Sequence, residues 1–153
     1  MNPLSIFQQA LDATSTAILA GDFESYSTRI DLPYLILTQT GQMLVTEADQ
    51  IRATFLAFSD GLKSRGVTHY ERMVRSAEYV GRNRIEGWHN THLIADGEQI
   101  AYPYAVRHTL VRRGDDWLFS EAQYDTIKGA SWPISEADLF EHTDNSGAGT
   151  ATK

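Results

Sequence analysis

Residues 84–111 read RIEGWHNTHLIADGEQIAYPYAVRHTLV, and this stretch decides the fold. Two runs rich in β-branched and aromatic residues flank Asp96-Gly97. Both of those residues tolerate positive φ, so an Asp-Gly between such runs predicts a tight hairpin. With Asp96 and Gly97 as the loop, Leu93 lies opposite Ile100, His89 opposite Tyr104, and Ile85 opposite His108. Successive side chains on a strand alternate faces. One face then carries Ile85, Gly87, His89, Leu93, Tyr102, Tyr104, Val106 and His108. The other carries Glu86, Trp88, His92 and Arg107, with Glu86 opposite Arg107. The first face is the predicted core side and the floor of a pocket.

The next turn, Gly114-Asp115, carries the register one strand further. It sets Leu110 against Phe119, His108 against Glu121 and Tyr104 against Asp125. Two rows result, His89–Tyr104–Asp125 and Ile85–His108–Glu121. Opposed Cβ atoms lie about 4.5–5.5 Å apart, within reach of hydrogen bonding. A carboxylate beside a histidine holds one tautomer and raises its basicity. A tyrosine hydroxyl can donate to a developing enolate oxygen. His89, Tyr104, Asp125 and His108 are therefore the candidate catalytic residues. Tyr34, Phe55, Phe58, Tyr102, Val106, Phe119 and Glu121 are the candidate ligand-binding residues. The same polar groups also suit a structural role in which they only satisfy one another. Pro103 removes a ladder donor and often marks a bulge; a one-residue bulge there would turn Tyr104, Val106 and His108 away from the face of Tyr102.

Residues three apart on a strand point to opposite faces, so His89 and His92 cannot share a metal ion. Neither a metal site nor a cofactor is expected. Arg72, Arg75, Arg82 and Arg84 read as a solvated edge answering Glu71, Glu78 and Glu86, with an anionic ligand near Arg72 as the alternative.

At 153 residues the chain is expected to form one domain over 1–142, with the small, polar, glycine-rich stretch 143–153 as a disordered tail. Net charge is −7 and no basic stripe is present, which argues against nucleic acid as a partner. Cysteine is absent, so disulfides, thiolate metal sites and a cysteine nucleophile are excluded. No apolar run approaches the roughly 20 residues that span a bilayer, and the N-terminus does not read as a signal peptide. The expectation is a cytoplasmic protein with no membrane partner.

Ahead of the hairpin, Asn2-Pro3 reads as a helix start. Leu4, Phe7, Leu11, Thr14 and Ile18 then form one helical stripe, and Gly21 ends it. Asp22 caps a second, shorter helix through about Arg29. Leu32-Pro33 interrupts, Tyr34–Thr38 and Met43–Val45 are short strands, and Thr46 with Asp49 predicts a capping box for a helix ending at Gly66. From Thr68 the period changes to two: Thr68–Val80, the 84–111 hairpin and Trp117–Ile127 are long strands. Helices segregated ahead of an antiparallel sheet predict an α+β architecture.

The helix running into LAGDFESY, the Thr46–Gly66 helix, and a final hairpin closing with GDDWLF resemble the nuclear-transport-factor-2-like, SnoaL-like superfamily. The resemblance spans about Leu4–Ile127 and implies a cone: three helices packed on a strongly curved, mostly antiparallel sheet. It also implies a small, largely apolar or aromatic ligand, and cofactor-independent isomerase, dehydratase or cyclase chemistry, or else a non-catalytic ligand-binding or dimerisation module. Ketosteroid isomerases carry a base carboxylate where this chain has Leu37-Thr38-Gln39, and an acid where it has Arg107 and His108. Scytalone-dehydratase-like members use histidine and tyrosine in the cone, closer in kind to His89, Tyr104 and His108.

On the opposite sheet face Trp88 sits among Ala101, Pro103 and Ala105, a pattern suited to sheet-on-sheet contact. The resemblance implies dimerisation through the same face, so a homodimer is expected. Trp88→Arg should dissociate it, because a buried unpaired charge is strongly destabilising. Sedimentation should show a dimer for the parent chain and a monomer for the variant; a parent monomer at micromolar concentration would remove the Trp88 interface.

Overall fold

The first helix starts where the chemistry of Asn2-Pro3 dictates. In the computed structural model, which describes residues 2–39 and 41–124, α1 runs Pro3–Ala20, and the Asn2 side chain accepts a bond from the Ser5 N–H at 2.8 Å. Its buried stripe includes Phe7, Leu11, Thr14 and Ile18. Gly21 caps it at φ 70°, in the left-handed region that favours glycine. Asp22 then caps α2, Phe23–Ser27, accepting from the Ser25 N–H at 3.1 Å.

The strands are β1 Ile30–Leu37, β2 Gln42–Val45, β3 Val67–Tyr79, β4 Arg84–Ala95, β5 Glu98–Gln99, β6 Tyr104–Arg113 and β7 Asp116–Tyr124. A 3-10 turn, Ala48–Ile51, leads into α3, Arg52–Ser64. The main path of the sheet is β2-β1-β7-β6-β4-β3, with β5 paired to β4 off that path. All neighbours are antiparallel except β1 and β7. The three helices pack on this curved, unclosed sheet, so the α+β architecture is as expected. Two helix-to-strand and helix-to-helix contacts set the layer: Gln8 of α1 donates to the Arg72 carbonyl at 2.7 Å and accepts from the Val74 N–H at 2.9 Å, and Ser59 of α3 donates to the Ile18 carbonyl at 2.6 Å.

Several local expectations shift. β1 begins at Ile30 and runs through a cis Leu32-Pro33 bond, rather than starting at Tyr34. The helix cap lies one residue later than Thr46/Asp49: the Gln50 side chain accepts from the Thr46 N–H at 2.7 Å and the Glu47 N–H at 3.0 Å. The expected end of the last strand beyond 124 and the expected tail 143–153 lie outside the described residues.

The two hairpin registers also differ from expectation. Next to the Asp96-Gly97 turn the pairing is the expected one, Ile94 with Gln99. The Ile100 N–H still bonds the Leu93 carbonyl at 3.0 Å, and residues 101–103 then leave the ladder, in keeping with a Pro103 that has no N–H to give. Pairing resumes two residues along, so His89 faces Val106, Thr91 faces Tyr104 and Gly87 faces His108. An offset of two preserves facing, and the His89, Tyr104, Val106 and His108 side remains one face. Trp88, not Glu86, pairs with Arg107, and Glu86 instead bridges to Arg84 at 2.9 Å.

In the second hairpin, Leu110 faces Phe119 as predicted, but a bulge follows and Thr109 faces Glu121. Here the offset is one, so facing reverses beyond Ser120. His108 faces Ala122, and Val106 faces Tyr124.

Gly87 of β4 lies tightly between β3 and the Phe7 ring of α1. A Cβ there would lie 2.4 Å from the Ser76 carbonyl oxygen and 2.9 Å from a Phe7 ring carbon. Neither backbone nor the fully buried Phe7 can give way cheaply. Gly87→Ala should therefore destabilise the fold by about 1–3 kcal/mol, the usual cost of overpacking. A denaturant midpoint equal to the parent's would show that strand β4 moves away from α1 without strain.

Candidate functional site

A cavity of about 340 Å³ lies between the helices and the sheet. β4 contributes His89; β6 contributes Tyr104, Val106 and His108; β1 contributes Tyr34; α3 contributes Phe55 and Phe58; β7 contributes Phe119. These eight sequence-predicted residues share one cavity. Three others do not join them. Tyr102 is 94 % exposed, because the segment leaving the ladder around Pro103 carries it off the sheet. Glu121 lines no part of the cavity, because the Ser120 bulge turns it to the face of Thr109. Asp125 lies outside the described residues.

The cavity also takes Thr14, Tyr26, Tyr70, Arg72 and Tyr124, of which the sequence suggests only Arg72, and that as an alternative to a solvated edge. Tyr124 enters through the same bulge that expels Glu121, a displacement with no local sequence mark. Arg72 did leave a signal. On β3 it alternates in phase with Tyr70 and Val74, against His69, Glu71 and Met73, and the first set is the inward one.

Four kinds of polar group meet in this apolar space. His89 and His108 stack, with ring centroids 5.1 Å apart and planes 11° from parallel. Phe119 stands edge-on to His108 at 4.8 Å. The His89 Nδ1 and the Thr91 hydroxyl lie 3.3 Å apart, while His89 Nε2 and His108 Nδ1 are buried with no partner. The Tyr104 hydroxyl is buried and likewise unpartnered; Thr91 approaches it without reaching hydrogen-bond geometry. Unpaired buried polar atoms each cost about 1–3 kcal/mol, and three in one cavity demand a reason.

Burial is also the leading cause of every pKa displacement here. It holds His89 down to about 2, helped by the charge of His108 and then of Arg72. It holds His108 down to about 3, again with Arg72 acting in the same sense. The phenols move the other way: Tyr26 is pushed up to about 12, and Tyr34, Tyr104 and Tyr124 are raised, because burial disfavours the phenolate. At neutral pH the cavity thus presents two neutral imidazoles and several un-ionised phenols.

The charge among them is Arg72, 7 % exposed. Its Nε donates to the Ser15 hydroxyl at 2.8 Å, and its Nη2 donates to the Leu11 carbonyl at 2.7 Å and to the Thr14 hydroxyl. The guanidinium carbon sits 5.0 Å from the Tyr70 ring centroid. Among the described residues no carboxylate lines the cavity and no ion pair involves Arg72. Nor do the described residues hold a cluster of three or more His, Asp or Glu side chains placed for a metal ion. His92 lies on the opposite face from His89, bonded to Gln99 Oε1 at 2.7 Å.

No family model matches the chain, and no curated protein matches it at a significant level. Solved structures do. An NTF2-like protein of unknown function from Shewanella oneidensis superposes with a TM-score of 0.60 at 10% identity, covering 79% of this chain and 97% of that one. This is the NTF2-like fold. A candidate dehydratase of the NTF2-like family from Streptomyces avermitilis gives 0.59 at 10% identity, over 81% of this chain and 95% of the other. A Nostoc punctiforme domain of unknown function, called cystatin-like in fold, gives 0.62 at 14% identity over 90% and 82%. At these identities the likeness establishes the fold alone. Among the described residues no helix is long and apolar enough to cross a membrane.

The histidines make stability depend on pH. Above their ordinary value of 6.5 both are neutral whether the chain is folded or not. As pH falls below that value the unfolded chain takes up protons that the fold refuses, so stability is lost from about pH 6.5 down towards about 3. The slope reaches about 1.4 kcal/mol per pH unit for each histidine. Urea unfolding at pH 7 and pH 5 should show this loss, and His108→Phe should lose less between the two than the parent does. Equal losses in parent and variant would mean that His108 titrates normally in the fold.

Proposed function

We propose that this NTF2-like protein binds a small, largely apolar or aromatic molecule bearing a carbonyl group, and acts on it by proton transfer without a cofactor. The observation that carries the reading is the trio of buried, unpartnered atoms, His89 Nε2, Tyr104 Oη and His108 Nδ1, in a largely apolar cavity. A ligand oxygen or an acidic C–H placed among them would satisfy what the protein leaves open.

Each group has a role in that chemistry. The Tyr104 hydroxyl, held un-ionised by burial, donates to the carbonyl oxygen. An imidazole held neutral takes the proton from the adjacent carbon as the C–H electron pair moves into the enolate. Returning the proton at another carbon gives isomerisation; attack of the enolate carbon on a second carbonyl of the same molecule, whose oxygen takes the proton, gives ring closure; expelling a β-hydroxyl, protonated as it leaves, gives dehydration. An imidazole whose pKa is depressed is a weak base but a strong proton donor once charged, which favours rapid return of the proton.

The test begins with native mass spectrometry of the purified protein to identify a bound molecule, followed by affinity and turnover with that molecule. His89→Ala should weaken binding or turnover tenfold or more, because a lost hydrogen bond to a buried group is worth about 1–3 kcal/mol. His92→Ala, altered on the opposite sheet face, should leave both unchanged. Binding that survives His89→Ala in full would overturn the assignment. Binding without turnover in the parent chain would reduce the protein to a ligand-binding module.

A further inference from the structure

Resting on the reading of the cavity as a ligand site, we infer that its ligand is an anion: an apolar body carrying a carboxylate, seated on the Nη1 edge of Arg72. A guanidinium has five N–H donors and remains protonated in any protein environment. Three bonds to α1, at Ser15, Leu11 and Thr14, take the Nε hydrogen and both Nη2 hydrogens. The two Nη1 hydrogens have no acceptor among the described residues, and the arginine lines the cavity.

The three acceptors on α1 are neutral, so they position the cation without cancelling its charge. A buried charge normally sits beside an opposite one, and the counter-charge here is missing from the described lining. Arg72 also acts on the rest of the site: it disfavours protonation of His89 and His108. The field of the cavity is therefore positive, and its histidines cannot add to that charge at neutral pH. A carboxylate would meet a fixed cation, neutral imidazoles and phenolic donors, with no negative group of the described lining to repel it.

The cavity volume, about 340 Å³, suits a molecule of one or two rings. The experiment uses benzoate and 2-naphthoate with their primary amides, titrated calorimetrically at pH 7 and low salt against the parent chain, Arg72→Met and His89→Ala. At least one carboxylate should bind the parent chain tenfold or more tightly than its amide. Arg72→Met should abolish that difference, and His89→Ala should weaken acid and amide alike. Equal affinity of acid and amide in the parent chain would overturn the anion assignment and leave the pocket reading standing. Failure of all four compounds to bind would overturn both. If Arg72→Met does not fold by circular dichroism, the acid-to-amide ratio in the parent chain decides alone.

Discussion

Arg72 ties α1 to the sheet and bears on the protonation of the groups around it. Its side chain crosses from β3 to α1 and gives that helix three hydrogen bonds. Its own carbonyl accepts a fourth bond from Gln8, whose amide oxygen also accepts from the Val74 N–H two residues along the strand. The α1–β3 contact is thus a polar seam on an otherwise apolar layer. Such a seam fixes position in a way that apolar packing does not, because hydrogen bonds are directional and an unmet buried donor is expensive. Gly87 shows the consequence: with α1 held at this height, Phe7 and the Ser76 carbonyl leave no room for a Cβ on β4.

The same cation accounts for the state of the neighbouring groups. It opposes protonation of both histidines, in the same direction as burial. It favours ionisation of the phenols, against burial, and burial wins for Tyr26, Tyr34, Tyr104 and Tyr124. All of these groups are thereby neutral at physiological pH, and the cavity can hold several of them close together without mutual repulsion. The 5.1 Å stacking of His89 on His108 depends on that neutrality, since two imidazolium rings at this separation would repel strongly in a low-dielectric interior.

Much of the fold could be read from the sequence because its signals are local. Asn2-Pro3, Gly21 and Asp22 act within one turn of where they sit, and the change of period near Thr68 separates helices from strands without any long-range knowledge. The site was less legible because it depends on register, and register is set by irregularities. The Pro103 region displaces β6 by two residues, so the facing of His89, Tyr104 and His108 is preserved although every named pairing beyond Leu93–Ile100 changes. The Ser120 bulge displaces β7 by one, so Glu121 is lost and Tyr124 gained. Proline announces its break chemically; serine does not. Arg72 shows a different gap. In the structure it alternates in phase with Tyr70 on the inward side of β3, but an arginine among neighbouring arginines and glutamates reads as a solvated edge until the three acceptors on α1 are brought opposite it.

The residues that line the cavity also bear on why it is open. Ile18, Ile36, Phe55, Phe58, Val106 and Phe119 could close an apolar core, and at neighbouring positions the fold does pack without space, as around Leu11, Ile85 and Leu110. Interiors normally reach close packing because a void forfeits dispersion contacts on every wall. Here the void coincides with the places where the lining is polar: two imidazoles, a ring of phenols and a guanidinium, several with atoms left unpaired. Filling the space with apolar side chains would bury those atoms permanently without partners, and replacing them with apolar residues would remove the seam between α1 and β3. Cavity and polar groups therefore belong together. Arg72 ties the two features together, since the side chain that lines the cavity is also the one that bonds α1.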